Sequence, residues 1–202
     1  MATAISADLV KQLRDKTGAG MMECKAALSE ANGNIDEAVT LLRKRGLAQA
    51  AKRAGRATAQ GMIGSYIHMG GKIGVLVEVN CESDFVARTD DFQNLVKEVG
   101  MHIAAADPRW VRRDEVPAEA VEKEKGIYRA QMENTGKPAN VLDKIVEGKL
   151  GSFYSQFVLL DQPSVRDPNV TIAQLVAQTS AKTGENITVS RFVRFRVGEG
   201  ND

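Results

Sequence analysis

Residues 61–80 read GMIGSYIHMGGKIGVLVEVN. Two apolar, strand-like runs flank Met69–Lys72, where Gly70 and Gly71 can take the positive φ that a tight turn needs. This spacing predicts a β-hairpin, and a hairpin makes its two strands antiparallel. The next segment, FQNLVKEVGMHIAAA at 92–106, places Phe92, Leu95, Val96, Val99 and Ile103 on one helical face, and Pro108 stops it. Hairpin, helices, strand, helix and strand do not follow strict β-α-β alternation. The fold class expected is therefore α+β, with an antiparallel sheet, packed helices and a helical hairpin.

Upstream lies a compact helical unit. Ser6 can cap a helix carrying Leu9, Val10 and Leu13. Thr17, Gly18 and Gly20 break it, Met21 to Ala31 forms the next helix, and Asn34 or Asp36 starts a third with Ile35, Ala38, Val39, Leu41 and Leu42. Residues 1–45 thus read as a small three-helix bundle, 46–60 as a basic linker, and 61–202 as the α+β core. Residues 43–56, RKRGLAQAAKRAGR, hold six basic residues and no acidic one. A solvated linker helix and a basic patch both fit this tract.

Downstream, helices are expected from about Pro117 to Glu133 and from about Pro138 to Lys149, joined by NTGKP. They form a hairpin over about 115–150, in which Val121, Ile127, Tyr128 and Met132 can face Val141, Leu142, Ile145 and Val146. FYSQFVLLDQP at 153–163 reads as a strand closed by Pro163. Thr171 caps a helix ended by Gly184. The last strand puts Ile187, Val189, Val193, Phe195 and Val197 on one face, interrupted by Arg191.

Composition narrows the function. Net charge is +1 and aromatics are 5%, a balance that does not favour a nucleic-acid binder. No apolar run approaches the roughly 20 residues that span a bilayer, and the first residues do not read as a secretory signal. A cytoplasmic protein is expected, with Cys24 and Cys81 as free thiols far from any zinc spacing. GGKIG is not a phosphate loop, because Tyr66 stands where the first glycine of that motif belongs. KTG at 182–184 lacks its S-x-x-K companion. His68 and His102 show no metal-ligand spacing. No cofactor, no metal and no covalent catalysis are expected. An RNA-binding module on Arg43–Arg56 and the Phe192, Arg194 and Arg196 strand face, a carboxylate enzyme on the helical hairpin and a ubiquitin-associated-type adaptor remain as rival readings.

One stretch poses a sharper question. At 79–92 the chain reads VNCESDFVARTDDF, so a buried strand runs straight into Asp84 and Phe85. Either Phe85 folds back into the core or it points outward for a partner. Three passages bear on this: LVKQLRDKTGAGMMECKAALSEANGNIDEAV, GVLVEVNCESDFVART and RFVRFRVGEG. Together with HIAAADP and GKPANVLDKIVEGKL, they resemble the elongation factor Ts family across nearly the whole chain, in its short form with one core subdomain.

The resemblance implies a ubiquitin-associated-like amino-terminal bundle. It also implies a guanine-nucleotide exchange factor that binds the GTPase elongation factor Tu and promotes GDP release by disturbing its magnesium and phosphate site. Ser83, Asp84, Phe85 and Val86 match the segment that wedges in near the magnesium, with Ser83 in place of the family's usual threonine. Arg14, Met21, Met22 and His68 match further partner contacts, and core packing is the alternative for the two methionines. In longer members the GSYIHMGGKIGVLVEV and NCESDFV signatures can lie in different subdomains. This implies a homodimer in which a second chain replaces the missing one.

Overall fold

The structure, a computed structural model, describes residues 5–132 and 138–199. The chain divides into two units. The first holds residues 5–61, Asn80–Leu95 and Gln174–Thr188; the second holds Met62–Val79, Val96–Ala173 and the chain from Val189 on.

The first unit opens with α1 (Ala7–Thr17), α2 (Met21–Glu30) and α3 (Ile35–Arg53). Each start is capped. The Ser6 hydroxyl accepts from Leu9 N–H at 3.2 Å. Glu23 Oε2 accepts from Gly20 N–H at 3.4 Å. Asn34 Oδ1 accepts from Asp36 and Glu37 N–H at 3.0 and 3.2 Å. Such caps satisfy orphan amides and contribute about 1 kcal/mol each. Gly18 ends α1 at φ +67, a conformation that a side chain would strain. Val10, Leu13, Cys24, Ala27, Leu28, Ala31 and Ala38 form the core. Helix α3 runs unbroken to Arg53, so residues 46–53 of the expected linker are helical. They pack on α8 (Ile172–Thr183), where an added Cβ at Gly46 would meet Ala181 Cβ at 3.1 Å.

Three strands form one antiparallel sheet, β1 (Gln60–Ile67), β2 (Ile73–Cys81) and β3 (Ile187–Arg196), with β2 in the centre. The expected hairpin closes where His68 N–H donates to Ile73 O at 2.9 Å, and Gly70 and Gly71 take φ +88 and +69. In the second unit, residues 96–106 of α5 (Asp90–Ala106) back this sheet. Its Val96 leaves no room for a Cβ at Gly64, which would meet Val96 Cγ1 at 2.2 Å. A Cβ at Gly100 would meet Tyr66 Cβ at 3.3 Å. Arg194 Nε donates to Ala104 O at 3.3 Å. The even positions of β1 and β3 and the odd positions of β2 therefore face α5.

Toward the hairpin end, the opposite sheet face leaves apolar side chains uncovered beside one ion pair. Arg191 pairs with Glu78 at 2.7 Å, which puts 191 and 78 on this face. Ile67 shares it with Gly74, whose added Cβ would meet Ile67 Cδ1 at 3.1 Å. By alternation Ile63, Leu76, Val193 and Phe195 lie there too, and all are exposed, Phe195 to 66%. Of the five residues expected on one face, Ile187, Val189, Val193 and Phe195 share it within β3, only Ile187 and Val189 being buried, while Val197 lies past the strand's end.

While α4 (Asp84–Ala87) belongs to the first unit, the second also carries α6 (Ala118–Ala130) and α7 (Ala139–Phe157). They pair as the expected hairpin, with Met132 and Val146 buried, while Ile127 and Val141 are exposed. The expected turn at 134–137 lies outside the described residues. The strand expected at 153–163 is not formed, because α7 continues to Phe157. Phe153, Tyr154 and Phe157 sit at helical spacing, and Phe153 packs with Val116 and Val158 against Trp110. The isolated bridges Trp110–Val158 and Pro163–Thr171 are the strand pairing that remains there among the described residues.

His102 on α5 is fully buried. Its Nδ1 accepts from Val165 N–H at 3.3 Å, so Nε2 carries the proton and donates to Gln162 Oε1 at 2.8 Å. Gln162 passes its own amide protons to Gln156 O and Ala106 O at 2.7 and 3.4 Å. Burial holds the His102 pKa below the ordinary histidine value, and the Gln162 bond opposes the shift.

Candidate functional site

Strand β2 ends at Cys81, and within three residues the chain enters the single turn α4. The local chemistry dictates the stop. Ser83 is extended at φ −126, ψ 157, and its hydroxyl accepts from Val86 N–H at 3.4 Å as the N-cap. Thr89 closes the turn, donating its hydroxyl to Val86 O at 2.7 Å. Asp84 and Arg88 pair across the turn at 2.8 Å. Of the two apolar side chains, Val86 turns inward at 8% exposure and Phe85 outward at 77%. Phe85 is not part of the core.

The base of this turn is held by polar groups from the loop between α8 and β3. Glu185 Oε2 accepts from Glu82 N–H at 3.1 Å and Ser83 N–H at 2.9 Å. Its Oε1 accepts the Ser83 hydroxyl proton at 2.5 Å. Glu82 reciprocates, accepting from Asn186 N–H at 2.6 Å and from Arg56 at 3.4 Å. The Asn186 amide donates in turn to Ala54 O and Arg56 O, at 3.4 and 2.8 Å, at the end of α3. Below lies Cys81, whose thiol donates to Ser83 O at 3.1 Å. Burial pushes the Cys81 thiol pKa up, and the nearby Glu185 charge adds to the rise. Both cysteines are buried and free.

Ser83, Asp84, Phe85 and Val86 thus form one contiguous, braced tip. Arg14, Met21 and Met22 belong to the same unit, on α1 and α2. Met21 and Met22 are 57% and 77% exposed, so neither fills the bundle core. His68 is exposed at the hairpin end of the second unit, with Nδ1 at 3.2 Å from the Tyr66 hydroxyl. Glu82, Glu185 and Asn186 were not singled out in the sequence. Nothing local marks Glu185, since GEN after a helix reads as an ordinary turn.

Four of the six basic residues of the tract engage acceptors of their own unit, while Lys44 and Lys52 are exposed. Arg43 donates to Gln174 at 3.1 Å and Arg53 to Ser180 O at 3.3 Å. Arg45 pairs with Glu30, and Arg56 with Glu82. These cations are spent on the unit's own acceptors, which weighs against the RNA-binding reading. Among the described residues, no group of His, Cys, Asp and Glu is placed to hold a metal, and no helix is long and apolar enough to cross a membrane.

The family model described as Elongation factor TS matches residues 2–199. Curated relatives agree. The chain is 61% identical to Elongation factor Ts of Fervidobacterium nodosum, over 96% of this chain and 99% of that one. It is 57% identical to Elongation factor Ts of Thermosipho melanesiensis, over 96% and 100%. It is also 57% identical to Elongation factor Ts of Geobacter sulfurreducens, over 98% and 91%.

Proposed function

The chain belongs to the elongation factor Ts family, which makes it a translation elongation factor with a nucleotide-exchange role and no covalent chemistry of its own, and we propose that it serves the GTPase elongation factor Tu in the cytoplasm. On this reading the α4 tip promotes GDP release. The observation that carries it is Phe85: a large aromatic, 77% exposed, on a turn whose every other attachment is braced.

The physics asks only for differential affinity. GDP is held in such a GTPase by phosphate-loop amides and a magnesium ion. An exchange factor need not touch GDP. It must bind the nucleotide-free partner more tightly than the GDP-bound one, and GDP must then weaken its binding by the same factor. A thousandfold faster release corresponds to about 4 kcal/mol off the barrier. One buried aromatic anchor supplies about 2 kcal/mol or more. Phe85 inserted beside the magnesium site, aimed by Ser83 and flanked by Asp84 and Val86, accounts for a large share. Arg14, Met21, Met22 and His68 supply further contacts, methionine being adaptable enough for a changing partner surface.

The test is the release of a fluorescent GDP analogue from the GTPase under stopped flow. Phe85→Ala is expected to slow stimulated release, and an unchanged rate would refute the wedge role.

The second partner is another copy of this chain. The uncovered sheet face of Ile63, Ile67, Leu76, Val193 and Phe195 is a contiguous apolar surface of a kind that isolated monomers rarely leave in water. A symmetric dimer covers the same face on both copies at once. Light scattering at micromolar concentration is expected to return twice the 21.9 kDa chain mass, and a monomeric mass with full exchange activity refutes it.

A further inference from the structure

The wedge reading assigns work to residues 83–86 but leaves their aim unexplained. A single-turn helix has too few internal hydrogen bonds to hold its own orientation. Its direction must come from outside. In this chain the outside support converges on one side chain, Glu185, which lies 102 residues further along than Ser83.

Glu185 takes both backbone amides that lead into the turn, those of Glu82 and Ser83, and the Ser83 hydroxyl as well. The Ser83 hydroxyl in turn accepts from Val86 N–H. The carboxylate therefore fixes the N-cap, and the N-cap fixes the turn. The neighbouring Asn186 completes a reciprocal lock. Its backbone N–H is held by Glu82, and its side chain reaches back to Ala54 O and Arg56 O. The two-residue pair 185–186 thus anchors the tip to the end of α3, the last helix of the bundle carrying Met21 and Met22. All these residues belong to the first unit.

We propose that Glu185 is a positioning residue for nucleotide exchange, holding the Ser83–Val86 turn so that Phe85 is presented at a fixed angle. The inference rests on the wedge reading of Phe85. The contacts Glu185 makes are internal to the chain, its two oxygens accepting from three donors, so its influence on Phe85 runs through Ser83. Charge-assisted bonds of this kind are shorter and stronger than neutral ones. Removing the acceptor leaves two amides and a hydroxyl to find water, and the turn swings.

The test is a double-mutant cycle on the full chain with Glu185→Ala, Phe85→Ala and the pair, each titrated against GDP-loaded GTPase. Glu185→Ala is expected to lower the maximum stimulated release rate about tenfold, with a smaller change in the half-saturating concentration, because the wider interface remains. In the Phe85→Ala background the same change is expected to have no further effect, since there is no ring left to aim. Glu185→Gln keeps an oxygen for the two amides and is expected to stay within about threefold of the parent.

Deuterium exchange of the Glu82 and Ser83 amides is expected to speed up in Glu185→Ala while the α8 amides stay protected. Multiplicative losses in the cycle overturn the proposal, as does a glutamine variant as slow as the alanine one or an unchanged maximum rate. If Phe85→Ala alone has no effect, the wedge reading itself has failed. If Phe85→Ala is slow and Glu185→Ala is not, only the positioning role has failed. Should Glu185→Ala not fold, Glu185→Asp, with its carboxylate one methylene short, replaces it in the same cycle.

Discussion

The molecule exposes apolar surface in two contrasting ways. At the α4 tip a single ring, Phe85, stands out among polar neighbours, on a turn held by Glu185, Ser83, Thr89 and a buried Val86. On the sheet, Ile63, Ile67, Leu76, Val193 and Phe195 are exposed together on one face, spread over three strands. One ring on a rigid support can enter and leave a partner, because little surface is buried and little entropy is lost on each encounter. A broad apolar field gains from being covered continuously, since hydrophobic stabilisation grows with area. The contrast separates a surface suited to a transient partner from one suited to a permanent copy.

If the separation holds, each surface can be spoiled without touching the other. The largest effect is expected from Phe195→Asp. A symmetric interface loses the ring twice and gains two charges, at a cost of about 4 kcal/mol in association or roughly a thousandfold in the dissociation constant. Sedimentation should show monomer at micromolar concentration, with the tip amides still protected. A dimer that survives unweakened would place the self-contact elsewhere. Phe85→Ala comes next. It should slow GDP release about thirtyfold, in line with about 2 kcal/mol for a buried aromatic anchor. Mass and melting temperature should stay as they are, because this ring is already in water. A clear fall in melting temperature would instead return Phe85 to the core.

Much of this architecture was legible from periodicity. The hairpin announced itself through Gly70 and Gly71, and α5 through Phe92, Val96, Val99 and Ile103, all of them buried. These are local signals with a single period. Where the answer depended on a distant partner, the sequence misled or was silent. Phe153, Tyr154 and Phe157 looked like a strand because aromatics favour strands. They are helical because Trp110 and Val116 supply the surface against which a helical face packs. Val193 and Phe195 have the alternation of a buried strand face, and alternation alone cannot distinguish a core from a docking surface. At the tip, Phe85 was recognisable only through resemblance, and Glu185 had no local mark, since its role is made by hydrogen bonds across more than a hundred residues.

The support of the sheet can be probed as well as its surface. Gly64 on β1 touches Val96 of α5 so closely that an added methyl would sit 2.2 Å from Val96 Cγ1. Gly64→Ala must push the helix off the strand. Overpacking of this sort costs about 1–3 kcal/mol, and it should appear as a lower melting temperature with weaker dimerisation. The tip should keep its effect on GDP release per folded molecule. Equal losses at both surfaces would show that the sheet and the tip are not separable after all.

The smallest effect is expected from pH. His102 is held neutral, with its pKa below the ordinary value because it is buried. The sign follows from linkage. The unfolded chain takes up a proton as pH falls through about 6.5, while the folded chain resists until lower pH. Folding is therefore favoured fully above that value and progressively less below it, by at most about 1.4 kcal/mol per pH unit for one proton. Protonating Nδ1 also removes the acceptor for Val165 N–H. The Val165 amide should lose exchange protection only below about pH 6.5, where the folded chain takes up the proton. His102→Gln should flatten that slope while lowering stability at neutral pH. A slope that persists in His102→Gln would show that His102 is not its source.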